Sequence, residues 1–158
     1  NLIGGDLRSG RWWWRSDRQA ARPLPPGVHA LSNAALNEPW PKVRRLSSAM
    51  EETLRGDDSA LAERLFTLLG ERDVAADADL PATGIGLERE RLLSPIFITT
   101  PDARYGTRCS TVVLGQRCSD GWHLSVIERT HSPSGAKGRE RRVTLRPWPQ
   151  PGLRPPVT

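Results

Sequence analysis

The segment "TRCSTVVLGQRCSDGWHLSVIER", residues 107–129, carries the pattern that decides the fold. Two runs rich in β-branched and other apolar residues flank the turn-forming letters "SDG", and this arrangement predicts an antiparallel hairpin. Since strand side chains repeat every two residues, we expect the second run to present two distinct faces. One face would carry Trp122, Leu124 and Val126, and the other His123, Ser125 and Ile127.

Further strands are predicted on both sides of this hairpin. The run "SPIFITT" (residues 94–100) precedes it and "ERRVTLRPW" (residues 140–148) follows it, and both contain strand-forming residues. In the last strand Val143 and Leu145 alternate with arginines, so we expect its other face to be solvated.

Two helices are predicted before this group of strands. Apolar residues recur at helical spacing over a segment in which Pro41 suits the first turn and Gly56 the end. A second helix should run from the "DDS" cap (residues 57–59) to Gly70, and "LERERLL" (residues 87–93) predicts a short helical turn. The residues at helical spacing in the first helix are Val43, Leu46, Met50 and Leu54, and those expected to face inward in the second are Leu61, Leu65, Leu68 and Leu69.

The N-terminal part is predicted to form a hairpin from residues 2–6 and 11–15. Three consecutive tryptophans (residues 12–14) would occupy both faces of its second strand. This indicates that other parts of the protein pack on both faces, or that a ligand binds there. The run "RPLPPG" (residues 22–27) predicts a stiff loop and "VHAL" (residues 28–31) a short strand. Strands, two helices and then antiparallel strands are typical of an α+β fold with helices packed on a sheet.

Composition limits the classes of function. The 158 residues suffice for one domain, and no apolar run approaches the roughly 18 residues of a membrane-spanning helix. The net charge of +5 arises in residues 131–158, where six basic side chains face one acidic residue, Glu140. Such a segment either contacts anionic lipid or nucleic acid, or forms a solvated edge strand and an arginine-rich end. Its one aromatic residue, Trp148, cannot supply the stacking platform of a nucleic-acid binder.

The two cysteines are predicted to remain reduced. Cys109 and Cys118 would lie at opposite ends of one strand, roughly 20 Å or more apart, whereas a disulfide needs Cα atoms within about 7 Å. Reduced thiols indicate a cytoplasmic protein. The sequence contains no Gly-rich phosphate loop, CxxC pair, HExxH or GxSxG motif, and we predict no metal site.

Three segments carry a resemblance that covers nearly the whole chain except its Pro-rich end. They are "GVHALSNAALNEPWPKV" (residues 27–43), "TGIGLERERLLSPIFI" (residues 83–98) and "YGTRCSTVVL" (residues 105–114), the last followed by "IER" (residues 127–129). In their order and spacing these segments resemble the NRDE family, also called the Transport and Golgi Organization 2 family, and the second resembles its bacterial members.

The resemblance implies a fold like that of the N-terminal-nucleophile hydrolases, with two antiparallel sheets between helical layers. It also implies that this chain is the C-terminal portion of a longer protein. The family's N-terminal cysteine and its Asn-Arg-Asp-Glu run are absent, and the chain opens without Met. We expect residues 1–147 to belong to this single domain and residues 148–158 to form a Pro-rich, disordered tail.

The resemblance also implies a ligand site. The family is associated with haem trafficking, with lipid or acyl-CoA homeostasis and with Golgi organisation, so we expect a small hydrophobic anionic ligand, with haem as cargo rather than as a cofactor. The residues expected to bind it are Ser32, Asn33, Trp40, Tyr105, Thr107 and Arg108. Beyond this ligand we expect no specific nucleic acid partner and only weak contact of the basic tail with anionic membrane.

Arg108 has two interpretations that can coexist. It forms a cross-strand ion pair with Glu128, or it faces the pocket and binds a carboxylate or phosphate. The adjacent Cys109 is expected to be a packed strand thiol, because family members carry Ser or Thr there. His29 and His123 are candidate haem ligands by residue type alone, but a lone histidine on a strand is usually structural, so we expect neither to be an axial ligand.

An enzyme is the alternative function. A cysteine outside this chain would attack an amide or thioester, with its own α-amine as the base. By analogy with related amidases, Asn33 would then donate to the oxyanion, whereas in the other interpretation Ser32 and Asn33 only form a turn. We expect this chain alone to be inactive as a hydrolase, because the nucleophile would not lie in it.

Overall fold

The computed structural model describes residues 1–57 and 59–148, which form an α+β fold with two three-stranded antiparallel sheets. The strands are β1 (Leu2–Asp6), β2 (Arg11–Arg15), β3 (Arg22–Leu24), β4 (Cys109–Cys118), β5 (Gly121–His131) and β6 (Lys137–Trp148). The helices are α1 (Pro41–Arg55), α2 (Leu61–Leu69) and α3 (Leu87–Leu93), with a 3-10 turn at Asp77–Asp79. The predicted α+β class is confirmed.

The predicted N-terminal hairpin is confirmed as β1 and β2. Its three tryptophans have different environments. Trp14 is completely buried, and its indole N–H donates to the side chain of Asn1 at 3.2 Å. Trp12 and Trp13 keep 41% and 37% of their surface exposed. Only one of the three rings therefore belongs to the core of the described chain.

The third strand of this sheet lies where we predicted a loop, and the strand predicted at residues 28–31 is wrong. β3 falls within "RPLPPG", with Pro23 opposite Trp13. Proline is tolerated there because β3 is an edge strand, where the missing N–H leaves no gap in the sheet. The run "VHAL" contributes only the isolated bridge between Leu31 and Leu36, since it follows Gly27, whose φ of +142° interrupts an extended chain.

Both predicted helices form, and the ends predicted from proline and glycine are confirmed. Proline occupies the start of α1 and Gly56 its end, and Gly70 ends α2. The predicted cap of α2 at residues 57–59 is wrong, because α2 begins at Leu61 and its N-cap residue is Ala60, which makes no side-chain cap bond. The carboxylate of Asp57 instead accepts the Ser59 amide within the preceding turn at 2.6 Å. Asp58 lies outside the described residues. The predicted short helix at residues 87–93 is confirmed as α3.

The second sheet packs one face against α2. In the register of β4 and β5, Val112 lies opposite Ile127, and both pack with Leu65 and Phe66 of α2 in the hydrophobic core. Ile127 is only 1% exposed. The predicted alternation in β5 is confirmed, because residues that pair directly across a sheet share a face.

The opposite face of this sheet is open. Val113, Val126 and Val143 pair in one row across it, and Val113 and Val143 keep 61% and 53% of their surface exposed. The arginines of β6 are exposed as predicted, but Val143 is exposed as well. Trp148, which we assigned to the tail, is the last residue of β6, and residues 149–158 of that predicted tail lie outside the described residues.

The strand predicted from "SPIFITT" is wrong. This segment joins its neighbours through single contacts, including the bridge between Thr99 and Gly106 and a 2.8 Å bond from the Phe97 amide to the Glu71 carbonyl. Ser94 and Pro95 follow α3 directly, so few residues remain to form a ladder.

Both cysteines are free, as predicted. None of the described helices is long and apolar enough to span a membrane.

Candidate functional site

A cleft of about 470 Å³ lies beside the start of α1 and contains the two predicted residues Asn33 and Trp40. We call it the Lys42 cleft. Its walls come from the loop after the first sheet, the first turn of α1, the loop at residues 81–85 and α3. The lining residues are Arg18, Asn33, Ala34, Trp40, Pro41, Lys42, Pro81, Thr83, Ile85, Glu90, Leu93 and Ser94.

The position of Trp40 follows from the proline after it. A residue before proline is restricted to extended conformations, and Trp40 has φ −63° and ψ 151°. Its amide donates to the Glu38 carbonyl at 2.7 Å, and its carbonyl accepts the Arg44 amide at 3.0 Å. The backbone of Trp40 is therefore fixed at the helix start, and the residue lines the cleft from there.

Lys42 is the central cation of the cleft. Its ammonium donates to the Leu93 carbonyl at 2.8 Å, which links α1 to the end of α3. Burial lowers the pKa of Lys42, and the charge of Glu90 acts in the opposite direction. Lowering by burial indicates that water solvates this ammonium incompletely.

Glu90 is the anion of the cleft and is buried, with 8% of its surface exposed. Its carboxylate accepts the backbone amide of Thr83 at 3.0 Å and also the hydroxyl of the same residue. A buried carboxylate needs such partners, because an unpaired charge is costly to remove from water. These bonds tie α3 to the loop that forms the opposite wall.

A smaller cleft of about 400 Å³ adjoins the first and shares Asn33 and Lys42 with it. We call it the Ser32 cleft, and it is lined by Ala30, Leu31, Ser32, Asn33, Lys42, Val43, Leu46 and Ile96. The structure thus brings together three of the predicted residues, Ser32, Asn33 and Trp40, around one lysine.

Asn37 holds the loop that presents Ser32 and Asn33. Its side-chain oxygen accepts the Ala30 backbone amide at 2.9 Å, and the backbone amide of Asn37 donates to the Ala30 carbonyl at 2.8 Å. Its φ of +60° is a left-handed conformation that asparagine tolerates better than most residues. Asn37 is absent from the predicted site residues, although an Asn between two predicted elements is a common turn signal.

The other three predicted residues lie elsewhere. Tyr105 lies in a turn and is 60% exposed. Thr107 is hydrogen-bonded to Ile98: its backbone amide donates to the Ile98 carbonyl at 2.8 Å, and its hydroxyl accepts the Ile98 amide at 3.0 Å. Arg108 is exposed, and its carbonyl accepts the His131 amide at 2.8 Å. None of the three lines the Lys42 cleft or the Ser32 cleft.

The structure does not bring Arg108 and Glu128 together as the predicted ion pair. Glu128 lies opposite Thr111 and Arg141, so the register separates it from Arg108 by three positions along β4. The hairpin turns over the two residues 119 and 120, since Cys118 pairs with Gly121, and this register places Arg108 beside His131 instead.

A different arginine, largely covered itself, forms ion pairs that connect this sheet to α2. The side chain of Arg129 is 11% exposed and contacts the carboxylates of Glu63 and Glu140, the latter at 2.8 Å. Its guanidinium carbon lies 3.8 Å from the ring centroid of Phe66. Hydrogen bonding to Glu63 raises the pKa of Arg129 above its ordinary value. Arg129 therefore joins α2 to the sheet through groups far apart in sequence.

The contacts of Cys109 and His29 do not suit them to bind a ligand. Cys109 is exposed rather than packed, because odd-numbered residues of β4 face away from α2. Both ring nitrogens of His29 have partners, the Pro25 carbonyl at 2.9 Å and Asn37 at 3.0 Å. These bonds leave the ring poorly placed as an axial haem ligand.

The groove beside His29 is a third cavity, of about 460 Å³, and its lining in the described chain carries no Lys, Arg, Asp or Glu. Trp12, Leu24, Met50 and Leu54 form much of its surface. It suits an apolar group but offers no cation to an anionic one. The Lys42 cleft is therefore the better candidate for the predicted ligand.

The basic residues of β6 are partly neutralised. Glu140 lies 3.9 Å from Lys137 and 3.8 Å from Arg142, in addition to its contact with Arg129. Hydrogen bonding and the nearby cations lower the pKa of Glu140. This arrangement supports the solvated edge strand that we considered for this segment, while contact with anionic membrane stays a prediction.

Comparison with known proteins identifies the family. The model of the family described as "Transport and Golgi organisation 2" matches residues 1–133, which include every residue of the Lys42 cleft. A Transport and Golgi organization protein 2 homolog from Bos taurus is 31% identical over 147 residues, covering 82% of this chain and 50% of the bovine protein. A Transport and Golgi organization 2 homolog from Mus musculus is 26% identical over 144 residues, with the same coverage of 82% and 50%.

The chain spans about half the length of these curated relatives. The family match and the bovine similarity agree with the resemblance found in residues 27–43, 83–98 and 105–114. This chain therefore belongs to the Transport and Golgi organisation 2 family, also called the NRDE family.

Proposed function

We propose that this chain forms a binding site for a small hydrophobic anionic molecule, such as haem or an acyl-CoA or related lipid, and that the protein carries this ligand. The observation that supports the proposal is a partly buried lysine, Lys42, in a cleft with largely apolar walls. The ligand's acidic group would meet the ammonium, and its apolar part would lie along the walls.

The ammonium of Lys42 retains hydrogen-bond donors that can serve a ligand. Within the described chain its ammonium makes one hydrogen bond, to the Leu93 carbonyl, and an ammonium has three N–H donors. Two of them can therefore reach a carboxylate or phosphate. Arg18 adds a second cation at the edge of the same cleft, so cations outnumber the single anion, Glu90.

The size and the walls of the cleft fit this class of ligand. Small-molecule sites commonly measure about 300–1,000 Å³ and are mostly apolar with a few polar groups, and this cleft measures about 470 Å³. Trp40, Pro81, Ile85 and Leu93 supply apolar surface. The exposed amide of Asn33 provides a further polar contact for orientation.

The names of the relatives support a role in transport. The bovine and murine proteins are named for transport and Golgi organisation, and a carrier of a membrane-derived ligand would fit that description. Since this chain spans half their length, the remaining walls of the site are proposed to come from the rest of the protein. Tyr105, Thr107 and Arg108 stay predicted contacts that would require a ligand extending beyond the cleft.

The test is a binding titration of the full-length protein with haem, by absorbance, and with an acyl-CoA, by calorimetry. Replacing Lys42 with Gln should weaken binding about 10- to 100-fold, because a hydrogen bond to a charged group contributes about 1.5–3 kcal/mol. Trp40→Leu should weaken the binding of both ligands by removing an apolar wall.

Two matched variants serve as controls. Lys137→Gln removes one positive charge from β6, outside the cleft, and Trp13→Leu removes a partly exposed indole from the first sheet. Both should bind as the unmodified protein does. Equal affinities for Lys42→Gln and the unmodified protein would contradict the proposal, as would equal losses in Lys42→Gln and Lys137→Gln.

An amide or thioester hydrolase with an N-terminal-nucleophile-type fold is the alternative proposal, and the position of Asn33 favours it. The side chain lies at the junction of the two clefts, where its amide could donate to an oxyanion. The nucleophile would be a cysteine outside this chain. Incubation of the full-length protein with an acyl-CoA, followed by intact-mass analysis, would detect a covalent acyl adduct. Binding without such an adduct would favour the carrier.

A further inference from the structure

We propose that the tip of the β4–β5 hairpin is a binding site for a divalent transition metal of the Zn²⁺ class, with Cys118, Asp120 and His123 as its ligands. One ligand atom from each of these residues lies within 4.8 Å of the other two. The site lies on the second sheet and goes beyond the proposed function of the Lys42 cleft. The sequence alone predicts no metal site, because a Cys-x-Asp-x-x-His spacing matches none of the common metal motifs.

The strand register explains why the three side chains meet. Cys118 lies opposite Gly121, and Gln116 lies opposite His123. Cys118 and His123 are therefore diagonal neighbours on one face of the hairpin, close enough for their side chains to reach each other. Asp120 occupies the two-residue turn between the strands, and its carboxylate oxygens lie 3.0 and 3.2 Å from His123 Nε2.

The donor set selects the class of metal. Thiolate and imidazole are ligands of Zn²⁺ and its borderline-soft neighbours, whereas Mg²⁺ and Ca²⁺ prefer oxygen atoms alone. Zinc–ligand bonds of about 2.0–2.3 Å place the ligand atoms of a tetrahedral site about 3.3–3.6 Å apart. Side-chain rotations that move the ligand atoms by roughly 1 Å would close the present separations, which are at most 4.8 Å, to those of such a site. On binding, the metal would displace the thiol proton to solvent, and Nε2 of His123, as the neutral tautomer with its proton on Nδ1, would bind the metal instead of contacting Asp120.

The hairpin tip is held in place from both sides. Gly121 has a φ of +135°, and a Cβ at this position would lie 3.2 Å from Pro147 of β6. The indole N–H of Trp122 donates to the Leu7 carbonyl at 2.9 Å, which anchors the tip to the N-terminal hairpin. A tip held in this way lowers the entropy that the ligands lose on binding metal.

The exposure of the three residues fits an open site. Asp120 is exposed, whereas Cys118 and His123 are partly buried. Three protein ligands with solvent access leave a fourth position for water or for another molecule, as in metal sites that bind exogenous ligands. The expected stoichiometry is one metal ion per chain.

Cobalt(II) is the probe that tests the site, because a thiolate bound to Co²⁺ gives a charge-transfer band in the near ultraviolet. The reduced protein should develop this band with one equivalent of Co²⁺ and lose it on addition of Zn²⁺. Cys118→Ser should abolish the band, and His123→Gln should weaken metal binding at least about tenfold. Cys109→Ser is the matched control, since it removes the other free thiol at the far end of β4, and it should leave the band unchanged.

A second measurement needs no substitution. The alkylation rates of Cys109 and Cys118 in the unmodified protein, mapped by peptide mass, should differ in their response to Zn²⁺. Protection of Cys118 by about tenfold or more, with Cys109 unaffected, would support the site. The proposal is overturned if no band forms, if the band survives in Cys118→Ser, or if Zn²⁺ protects neither thiol.

Discussion

Replacing Ile127 with Ala tests which face of the second sheet forms the core. Ile127 is 1% exposed and packs with Leu65, Phe66 and Val112. Removing three carbon atoms from such a site destabilises a protein by the lost transfer free energy and by the cavity that remains, together about 2–5 kcal/mol for Ile→Ala. We expect about 3–4 kcal/mol, because strands on both sides restrict collapse into the cavity.

The control is Val113→Ala on the opposite face of the sheet. Val113 keeps 61% of its surface exposed and is one register position from Val112. Little of its side chain leaves water on folding, so we expect a loss below about 1 kcal/mol. Both variants stay apolar and within the sheet, and they differ chiefly in the face that is altered.

The assay is urea denaturation followed by circular dichroism, with the free energy of unfolding taken from linear extrapolation. A loss of about 3 kcal/mol corresponds to a melting temperature lower by roughly 6–12 °C for a chain of this length. Equal losses for the two variants would refute the assigned faces, since they would require the face that carries Val113 to be as buried as the face against α2.

Three further predictions concern charged groups. Arg129→Ala should destabilise the protein by about 1–2 kcal/mol in the same assay, and Arg129→Met by less. Met keeps contact with the ring of Phe66, and solvent screens the lost ion pair with the exposed Glu63. Equal losses in the two variants would contradict this. Burial, with the charges of Arg72 and Arg129, lowers the pKa of His131, so the unfolded state binds more protons. Stability should therefore fall as the pH drops below about 6.5, and His131→Gln should flatten that dependence between about pH 7.5 and 5.5. Because burial lowers the pKa of Lys42, affinity for an anionic ligand should decline with rising pH before ordinary lysines lose their charge, and Lys42→Arg should move the decline to higher pH.

Local patterns made the elements predictable. Alternation in residues 122–127 fixes which side chains share a face, since it depends on the two-residue repeat of a strand and on no distant contact. Proline at the start and glycine at the end likewise located α1. The strand at residues 22–24 was missed because its formation depends on a free sheet edge, which a local pattern does not reveal. The strand predicted at residues 28–31 failed because Gly27 interrupts the extended chain, a conformation that its sequence permits but does not impose.

The candidate site was predictable only in part, for the same reason. Asn33 and Trp40 belong to one short segment whose family resemblance could be read directly. Lys42 gains its environment from Leu93 and Glu90, about 50 positions away, and no local pattern distinguishes it from a lysine on a solvated helix. The same limit led us to expect a cross-strand ion pair between Arg108 and Glu128, whereas the structure pairs Arg129 with Glu63, 66 positions away.

The charges of the Lys42 cleft bear on the choice of ligand. Burial disfavours the Lys42 cation, and Glu90 partly offsets that cost. An incoming carboxylate or phosphate would offset it further and so gain binding energy that a neutral molecule of the same shape would not. The carboxylate of Glu90 is already occupied by Thr83, which holds it on the opposite wall and leaves the two remaining donors of Lys42 open to the ligand. A cleft with a fixed carboxylate and a partly unsatisfied ammonium should therefore prefer an acidic lipid over its methyl ester, and this preference should disappear in Lys42→Gln.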